Sequence, residues 1–314
     1  MAVSQPVNPP SWALQPTRCP ICDTNEFDLP VYERNFEPGD LTGAVFSARR
    51  LPDRLHYRMV RCGHCGLLRS DPILTGAELA RLYGESTVTY EAEAEFARAT
   101  YRAALERALP LVSGRERLLE IGCGSGFFLR EAQRLGFREA CGVEPSAHAI
   151  AHAPIELRAA IRPGLYTAET FPAASVDVVC GFQVLDHAPD PAALLTAAHE
   201  DLRPGGVALF INHDCGAWSA RLLGEASPIV DVEHTVLFDK RTVARLFEKC
   251  GFRVHEVFSV RNTYPLRYWL RMAPVPRALK ALLLRVAESG LGRIPVTLRA
   301  GNLGIIACKA TVHG

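Results

Sequence analysis

The sequence predicts an α/β fold whose main sheet is largely parallel. From residue 117 onward, short apolar runs alternate with segments that have the apolar spacing of amphipathic helices, as expected for parallel strands joined by helical crossovers. The stretch EIGCGSG at 120–126 places glycines between the first of these strands and the first of these helices. Two C-x-x-C pairs, CPIC at 19–22 and CGHC at 62–65, precede this region. We therefore predict a small cysteine-containing module followed by a larger α/β domain.

Composition sets broad limits on function. The chain has 314 residues, of which 48% are apolar, so it can bury a core of domain size. Its net charge of +1 leaves only local patches to attract nucleic acid or an anionic membrane. The N-terminal residues lack the pattern of a signal peptide, and no apolar stretch reaches the length of about 18 residues that a membrane helix needs. We expect a cytoplasmic protein whose ten cysteines are thiols, metal ligands or core residues rather than disulfides.

Four regions follow from composition and periodicity. The proline-rich residues 1–16 are expected to be a flexible N-terminus. Residues 17–72 contain both C-x-x-C pairs and short strand-like pieces. Residues 73–112 form a helical cap or linker, because TGAELARLYG and YEAEAEFARATYRAALERALPLV carry apolar residues at helical spacing. Residues 113–314 form the α/β domain, which begins at the hinge SGRER.

The elements of the α/β domain are predicted from their period and their end signals. Gly136 and Gly251 end two helices, Pro191 suits a first helical turn, and Asp239 suits an N-cap. A long basic and apolar insertion at about 264–300 precedes the last strand. The predicted strands are 117–122, 139–145, a weak strand at 155–161, 176–182, 205–212, 252–260 and 302–310, and the predicted helices are 127–136, 146–153, 191–202 and 239–251.

The spacing of the glycine loop excludes two common ligands. A dinucleotide fingerprint, G-x-G-x-x-G, would need a glycine where this chain has Phe127. A Walker A loop would need Gly-Lys-Ser/Thr, and Phe127 and Phe128 supply neither the lysine nor the hydroxyl. The loop is therefore not built for a polyphosphate, although glycines still allow close approach of a ligand to the backbone.

Several motifs agree in order and spacing with one known family. EIGCGSG, CGVEP at 141–145, GLY at 164–166, FPAASVDVVCGFQVLDHAPDP, LRPGGVALFINHD and DKRTVARLFEKCGF resemble the motif series of class I S-adenosylmethionine-dependent methyltransferases over roughly residues 80–260 plus the last strand. The resemblance implies a Rossmann-like sheet, mostly parallel with an antiparallel last strand.

The same resemblance implies a cofactor site. Glu120 would lie beside the methionine moiety, the glycine backbone would lie against it and the adenosine, and Glu144 would accept hydrogen bonds from the ribose hydroxyls. The cofactor-binding residues that it implies are Tyr90, Glu120, Gly122, Cys123, Gly124, Gly126, Glu144, Pro145, Leu165, Phe182 and Gln183.

The two C-x-x-C pairs predict a metal site. Cys19, Cys22, Cys62 and Cys65 resemble a zinc-ribbon-like site, in which each pair aims two thiolates at one tetrahedral Zn²⁺. A redox pair is the alternative for either motif alone. Because four protein sulfurs leave no open position, we expect this zinc to be structural. A zinc module before a class I domain resembles methyltransferases of sugar, polysaccharide and natural-product pathways.

Methyl transfer to a hydroxyl needs an aligned acceptor and a base. His187, His213 and His234 qualify, because they follow strands or precede the last helix at the carboxyl edge of the sheet, and Asp186 could orient such a base. Asp-His pairs could instead hold a divalent ion. We expect a small-molecule acceptor, most plainly a hydroxyl of a sugar or natural product.

Two other acceptors stay open. An RNA methyltransferase with a zinc module is one alternative, although the charge of +1 gives no basic balance for nucleic acid. A C-methyltransferase acting on a nucleotide-sugar is the other. The insertion at 264–300 could be a lid over an anionic acceptor, an interfacial patch or a homodimer surface.

Overall fold

A computed structural model gives the fold. It describes residues 12–37, 40–42, 45–46, 54–86, 91–272, 277–288, 290–299 and 301–310. The predicted flexible N-terminus therefore lies outside the described residues up to residue 11, and so does Tyr90.

The cysteine-containing module is built from short strands. β1 pairs antiparallel with β5, and β2, β3 and β4 form an antiparallel sheet in which β3 is central. β1 lies inside the segment 1–16 that was predicted to be flexible, and its pairing ties these two residues to the start of the cap. The bounds are β1 Leu14–Gln15, β2 Asp28–Tyr32, β3 Met59–Cys62, β4 Leu68–Ser70 and β5 Ile73–Leu74.

The cap contains the two predicted helices. α1 (Gly76–Gly84) begins at a capping box, in which the Thr75 side chain accepts from the Glu78 backbone N–H and the Glu78 side chain accepts from the Thr75 backbone N–H. α2 (Glu91–Ala108) is followed by a 3₁₀ turn at Leu109–Leu111, where Pro110 cannot continue the α-helix.

The α/β domain has the predicted alternation. Both N-terminal signals of the predicted helices are confirmed, because Pro191 opens α6 and Asp239 caps α8. The strands are β6 Arg117–Ile121, β7 Glu139–Glu144, β8 Ile161–Pro163, β9 Val176–Phe182, β10 Leu202–His213, β11 Val236–Leu237, β12 Phe252–Ser259, β13 Asn262–Pro265, β14 Pro295–Leu298 and β15 Asn302–Lys309. The helices are α3 Phe127–Arg134, α4 Ala147–His152, α5 Ile155–Arg158, α6 Pro191–Asp201, α7 Trp218–Leu223, α8 Lys240–Lys249, α9 Leu266–Met272 and α10 Arg277–Glu288, with 3₁₀ turns at Gly224–Ala226 and Gly290–Arg293.

The central sheet has the order β12-β15-β10-β9-β6-β7-β8. β6 to β10 pair in parallel, and β15 is antiparallel to both β10 and β12. The predicted Rossmann-like fold, mostly parallel with an antiparallel last strand, is confirmed. One face of the sheet packs on α6 and α8, and the other on α2 and α3. The carboxyl ends of β6, β7, β9 and β10 therefore meet at one edge.

The predicted weak strand at 155–161 is mostly wrong. Residues Ile155–Arg158 form the short helix α5, and only Ile161–Pro163 is a strand. A strand would place Ile155 and Leu157 on the same face, whereas the helical turn after Pro154 buries Leu157 and leaves Ile155 75% exposed.

The insertion at 264–300 is an element of its own. β13 and β14 pair antiparallel and enclose α9 and α10. Trp269 Nε1 donates to the Val296 backbone carbonyl at 2.9 Å, which ties α9 to the hairpin.

The module and the domain share a sheet. β11, which follows His234 in the chain, pairs antiparallel with β4 of the cysteine module. The Ser70 backbone N–H also donates to the Thr235 carbonyl at 2.8 Å. The segment that carries His234 is therefore held by the cysteine module.

Candidate active site

The glycine loop leaves β6 in a conformation that requires glycine. Gly122, Gly124 and Gly126 all have positive φ, between 55° and 73°. A Cβ on Gly122 would lie 2.5 Å from a methyl carbon of Val184, so a side chain has no room there. Gly122 and Gly124 line a cavity of about 980 Å³. Gly126 does not line it, because it caps the start of α3 and packs against Ile161.

Glu144 lies at the end of β7, opposite this loop. Its two carboxylate oxygens accept backbone N–H bonds from Gly124 and Ser146, each at 2.8 Å. Burial raises the pKa of Glu144, and these two hydrogen bonds oppose the rise. Each oxygen has a further lone pair, so the carboxylate can still accept from a ligand in the cavity.

Glu120 ends β6 in the wall of the same cavity. It is 2% exposed, and its Oε2 has no hydrogen-bond partner among the described residues. Burial first, and the nearby Glu144 carboxylate second, raise the pKa of Glu120 well above its usual value. A buried carboxyl without a partner is costly, which makes this oxygen suited to a cationic or hydrogen-bond-donating ligand.

Five more of the predicted cofactor residues line the cavity. Phe182 stacks on Tyr101 of α2 with ring centroids 4.1 Å apart, and Gln183 after it has a φ of 56°. Tyr101 was not predicted, because its place on a regular helix gives no sign of which face meets the cavity. The other cavity-lining residues of this set are Cys123, Pro145 and Leu165.

A cluster of histidines surrounds the buried Asp186. The His213 backbone N–H and Nδ1 lie 3.1 and 2.5 Å from Asp186 Oδ2, and since a carboxylate only accepts, both donate to it. The His234 ring lies 4.3 Å from the His213 ring and 4.8 Å from the His187 ring. The structure thus brings all four predicted catalytic residues together. The three histidines line the cavity, whereas Asp186 is fully buried and does not line it.

Burial and mutual repulsion set the charges in this cluster. Burial lowers the pKa of His187, and it lowers the pKa of His234 well below its usual value, with the neighbouring imidazoles adding to both effects. Burial would raise the pKa of Asp186, but the charge and hydrogen bond of His213, with His187 and His234 nearby, hold that pKa well below its usual value. The cluster therefore holds an ionised carboxylate beside two histidines that resist protonation.

Contacts from other elements fix these rings. His234 Nδ1 donates to the Ile229 carbonyl at 2.8 Å, which leaves its Nε2 as an acceptor. The Tyr83 hydroxyl of α1 lies 3.2 Å from His187 Nδ1, so the cap reaches the cluster. Asp186 Oδ1 has no hydrogen-bond partner among the described residues, and His187 Nε2 is 4.0 Å from it.

Two groups of residues could hold a metal ion. The sulfurs of Cys19 and Cys65 are 3.4 Å apart and those of Cys22 and Cys62 are 3.9 Å apart, and all four lie within 4.8 Å of one another. Tetrahedral Zn–S bonds of about 2.3 Å would separate sulfurs by about 3.8 Å, so the quartet fits. Asp186, His213 and His234 form the second group, with ligand atoms also within 4.8 Å.

Residues 94–257, more than half of the chain, match the Methyltransferase domain family. This chain belongs to that family. The methyltransferase is 30% identical over 180 residues, 57% of this chain and 68% of the relative, to a Mycolicibacterium smegmatis protein named "Probable S-adenosylmethionine-dependent methyltransferase". The predicted enzyme class and its cofactor, S-adenosylmethionine, are thereby supported.

Other relatives match a shorter part of their own length. The methyltransferase is 36% identical over 128 residues to the ubiquinone biosynthesis O-methyltransferase of Cereibacter sphaeroides. This match covers 38% of this chain and 47%, about half, of that relative. Among solved structures, a methyltransferase in complex with the Haloferax volcanii Trm112 methyltransferase activator has a TM-score of 0.51 at 19% identity, covering 71% of this chain and 94% of that one. This structural likeness supports the fold alone.

The cavity residues fit S-adenosylmethionine. Glu120 Oε2, which has no partner in the described part of the chain, and the Glu144 carboxylate belong to residues that line a cavity whose loop admits no side chain at Gly122. Glu120 could hold the cationic methionine moiety and Glu144 the ribose hydroxyls. Within the described part of the chain, no helix combines the length and the apolar character needed to cross a bilayer.

Proposed function

We propose that this methyltransferase methylates a hydroxyl oxygen of a small molecule, of the sugar or natural-product type, with His213 as the general base. The observation that carries the proposal is the 2.5 Å contact between His213 Nδ1 and the fully buried Asp186 carboxylate. With Nδ1 donating to Asp186, Nε2 carries the free lone pair that can take a proton from the acceptor. The buried carboxylate then stabilises the imidazolium.

The choice of His213 over its neighbours rests on charge. One carboxylate can balance the charge of one imidazolium, and Asp186 accepts a hydrogen bond directly from His213. Protonation of His187 or His234 is opposed by burial and by the adjacent rings. We propose that these two histidines shape the cavity edge and exclude water from the acceptor.

S-adenosylmethionine supplies the activated methyl group when bound. The chain's own part is to hold the acceptor hydroxyl in line with that methyl group and to move one proton to His213 Nε2. The cavity of about 980 Å³ lies at the upper end of the roughly 300–1,000 Å³ of small-molecule sites, so it has room for cofactor and acceptor together.

We also propose that the cysteine quartet binds a structural Zn²⁺. Cys19, Cys62 and Cys65 are buried, and the four sulfurs fill all positions of a tetrahedral ion. This leaves no open position for chemistry, in contrast to a catalytic zinc site.

The test of the base is His213→Asn, which keeps a donor for Asp186 and loses the acceptor nitrogen. We expect the rate of hydroxyl methylation to fall by about 10²–10⁴ while the affinity for S-adenosylmethionine is kept. Acceptors come from incubating labelled cofactor with small-molecule extracts and reading the methylated atom by mass spectrometry and NMR. His255→Asn, an exposed histidine outside the cavity, is the matched control.

Three results would contradict this proposal. A His213→Asn enzyme with full activity would remove the base. A chelator could abolish activity and a divalent ion restore it, while the cysteine quartet keeps its zinc. That result would reassign Asp186, His213 and His234 as metal ligands. A product with a new C–CH₃ bond, or methylated RNA, would favour one of the alternative acceptors.

A further inference from the structure

The insertion exposes an unusual number of large apolar side chains. Leu279 and Leu282 lie three residues apart on α10 and are 45% and 59% exposed. Leu291, Ile294 and Leu298 follow, with exposed fractions from 43% to 54%. These five define what we call the insertion surface, together with the exposed arginines Arg267, Arg271, Arg285, Arg293 and Arg299.

Charge is concentrated in the same segment. Residues 264–300 contain seven basic residues and one acidic residue, a net charge of +6. The whole chain carries +1, so the rest of it carries −5. The positive charge is therefore a property of this segment rather than of the protein as a whole.

The inner side of the insertion forms part of the active-site cavity. Tyr264, Tyr268, Trp269 and Leu298 line it, and the Tyr264 and Tyr268 rings stack at 4.1 Å. Trp218 of α7 lines the same cavity and is 72% exposed. The apolar surface thus continues from the outside of the insertion into the cavity.

We propose that the insertion surface docks on the surface of an anionic phospholipid bilayer, and that the acceptor is an amphiphilic hydroxyl compound that enters the cavity from that bilayer. This inference rests on the proposed hydroxyl methylation for the acceptor, but not for the docking. Exposed leucines and an exposed tryptophan insert among lipid head groups, while arginines pair with lipid phosphates.

Other occupants fit less well. A second copy would bring a surface of the same +6 charge against the first, which is repulsive. A nucleic acid would neutralise the arginines but would leave the leucine side chains without an apolar partner. An anionic bilayer satisfies both the charge and the apolar side chains.

The test is sedimentation of the full-length protein with phosphatidylcholine vesicles, with and without phosphatidylglycerol. We expect binding only to the vesicles that contain phosphatidylglycerol, and weaker binding as salt is raised. Arg285→Glu and Leu282→Glu should each lower the partition constant at least about tenfold, since one basic residue contributes about fivefold near an anionic surface. Neither residue lines the cavity.

Matched controls separate docking from general surface effects. Ile155→Glu replaces an apolar residue outside the insertion that is more exposed than Leu282, 75% against 59%, and Arg253→Glu reverses a charge at the opposite end of β12. Both should bind vesicles as the unaltered protein does. Three results would each overturn the docking surface. The first is an equal loss of binding in the controls, and the second is no binding to anionic vesicles. The third is a dimer in gel filtration that Leu282→Glu makes monomeric, without any vesicle binding.

The two proposals fail separately. Vesicle binding without methylation of any hydroxyl compound would refute the hydroxyl acceptor and leave the docking surface intact. The docking surface alone would be refuted by two results together. The protein would methylate a hydroxyl compound equally fast with and without anionic vesicles, and it would not sediment with those vesicles.

Discussion

Three buried carboxylates dominate the site at the scale of single residues. The Asp186 carboxylate accepts a hydrogen bond from His213, and the Glu144 carboxylate accepts hydrogen bonds from two backbone N–H groups. Glu120 has no hydrogen-bond partner on its Oε2 among the described residues. Because a buried unpaired carboxyl is costly, we propose that the cationic cofactor contacts Glu120 and lowers this cost.

Replacing Glu144 tests where the ribose lies. We expect Glu144→Ala to weaken S-adenosylmethionine binding about 10–100-fold in calorimetry, since hydrogen bonds to a charged group contribute about 1.5–3 kcal/mol. Glu139→Ala, at the exposed start of the same strand, should bind normally. Unchanged affinity in Glu144→Ala would show that the ribose is held elsewhere.

The histidine cluster predicts a pH dependence of stability. Burial lowers the pKa values of His187 and His234, so the unfolded chain binds protons before the folded one does. The contribution of these two neutral rings to the free energy of unfolding is complete above the usual histidine pKa of about 6.5. It is lost as the pH falls below that value, at up to about 1.4 kcal/mol per pH unit for each ring.

The corresponding measurement is urea unfolding at several pH values. His234→Asn keeps a donor for the Ile229 carbonyl but cannot titrate, so we expect a shallower loss of unfolding free energy on acidification. His255→Asn should keep the slope of the unaltered protein. An identical slope in His234→Asn would mean that this ring binds its proton at the same pH in the folded and unfolded states.

At the scale of elements, the sequence predicted correctly the features that depend only on neighbouring residues. The caps at Asp239 and Pro191 are confirmed because capping depends on neighbouring residues alone. The helix at Ile155–Arg158 was missed because a single buried Leu157 is also compatible with a strand. The two-residue strand β11 has no local signal at all, since its partner β4 lies more than 160 residues earlier.

The same limit applies to the site. The glycine spacing and the acid at the end of β7 could be predicted because they lie at fixed distances from strand ends. That three histidines share one carboxylate, and that Asp186 pairs with His213 rather than the adjacent His187, depends on how β9, β10 and β11 meet. No spacing along the chain encodes that choice.

At the scale of the whole molecule, the cysteine module packs against the elements that position the cavity histidine His234. β4 pairs with β11 directly after His234, and Arg241 of α8 donates to the Cys65 carbonyl at 3.0 Å. Tyr83, which follows the module in the chain, contacts His187. The proposed zinc therefore supports the position of a cavity residue through a short chain of backbone contacts.

Removal of that metal should be felt across the molecule. We expect chelation, or Cys65→Ser, to lower Tm by roughly 5 °C, the shift produced by a loss of about 3 kcal/mol in a chain of 314 residues. Hydrogen exchange should accelerate in β3 and β4 and also in β11, and methylation should fall with it, because His234 loses its support. Cys141→Ser, a cysteine outside the quartet, should leave β11 protected. Faster exchange confined to the module, with β11 protection and methylation unchanged, would show that the metal stabilises its own module without supporting the active site.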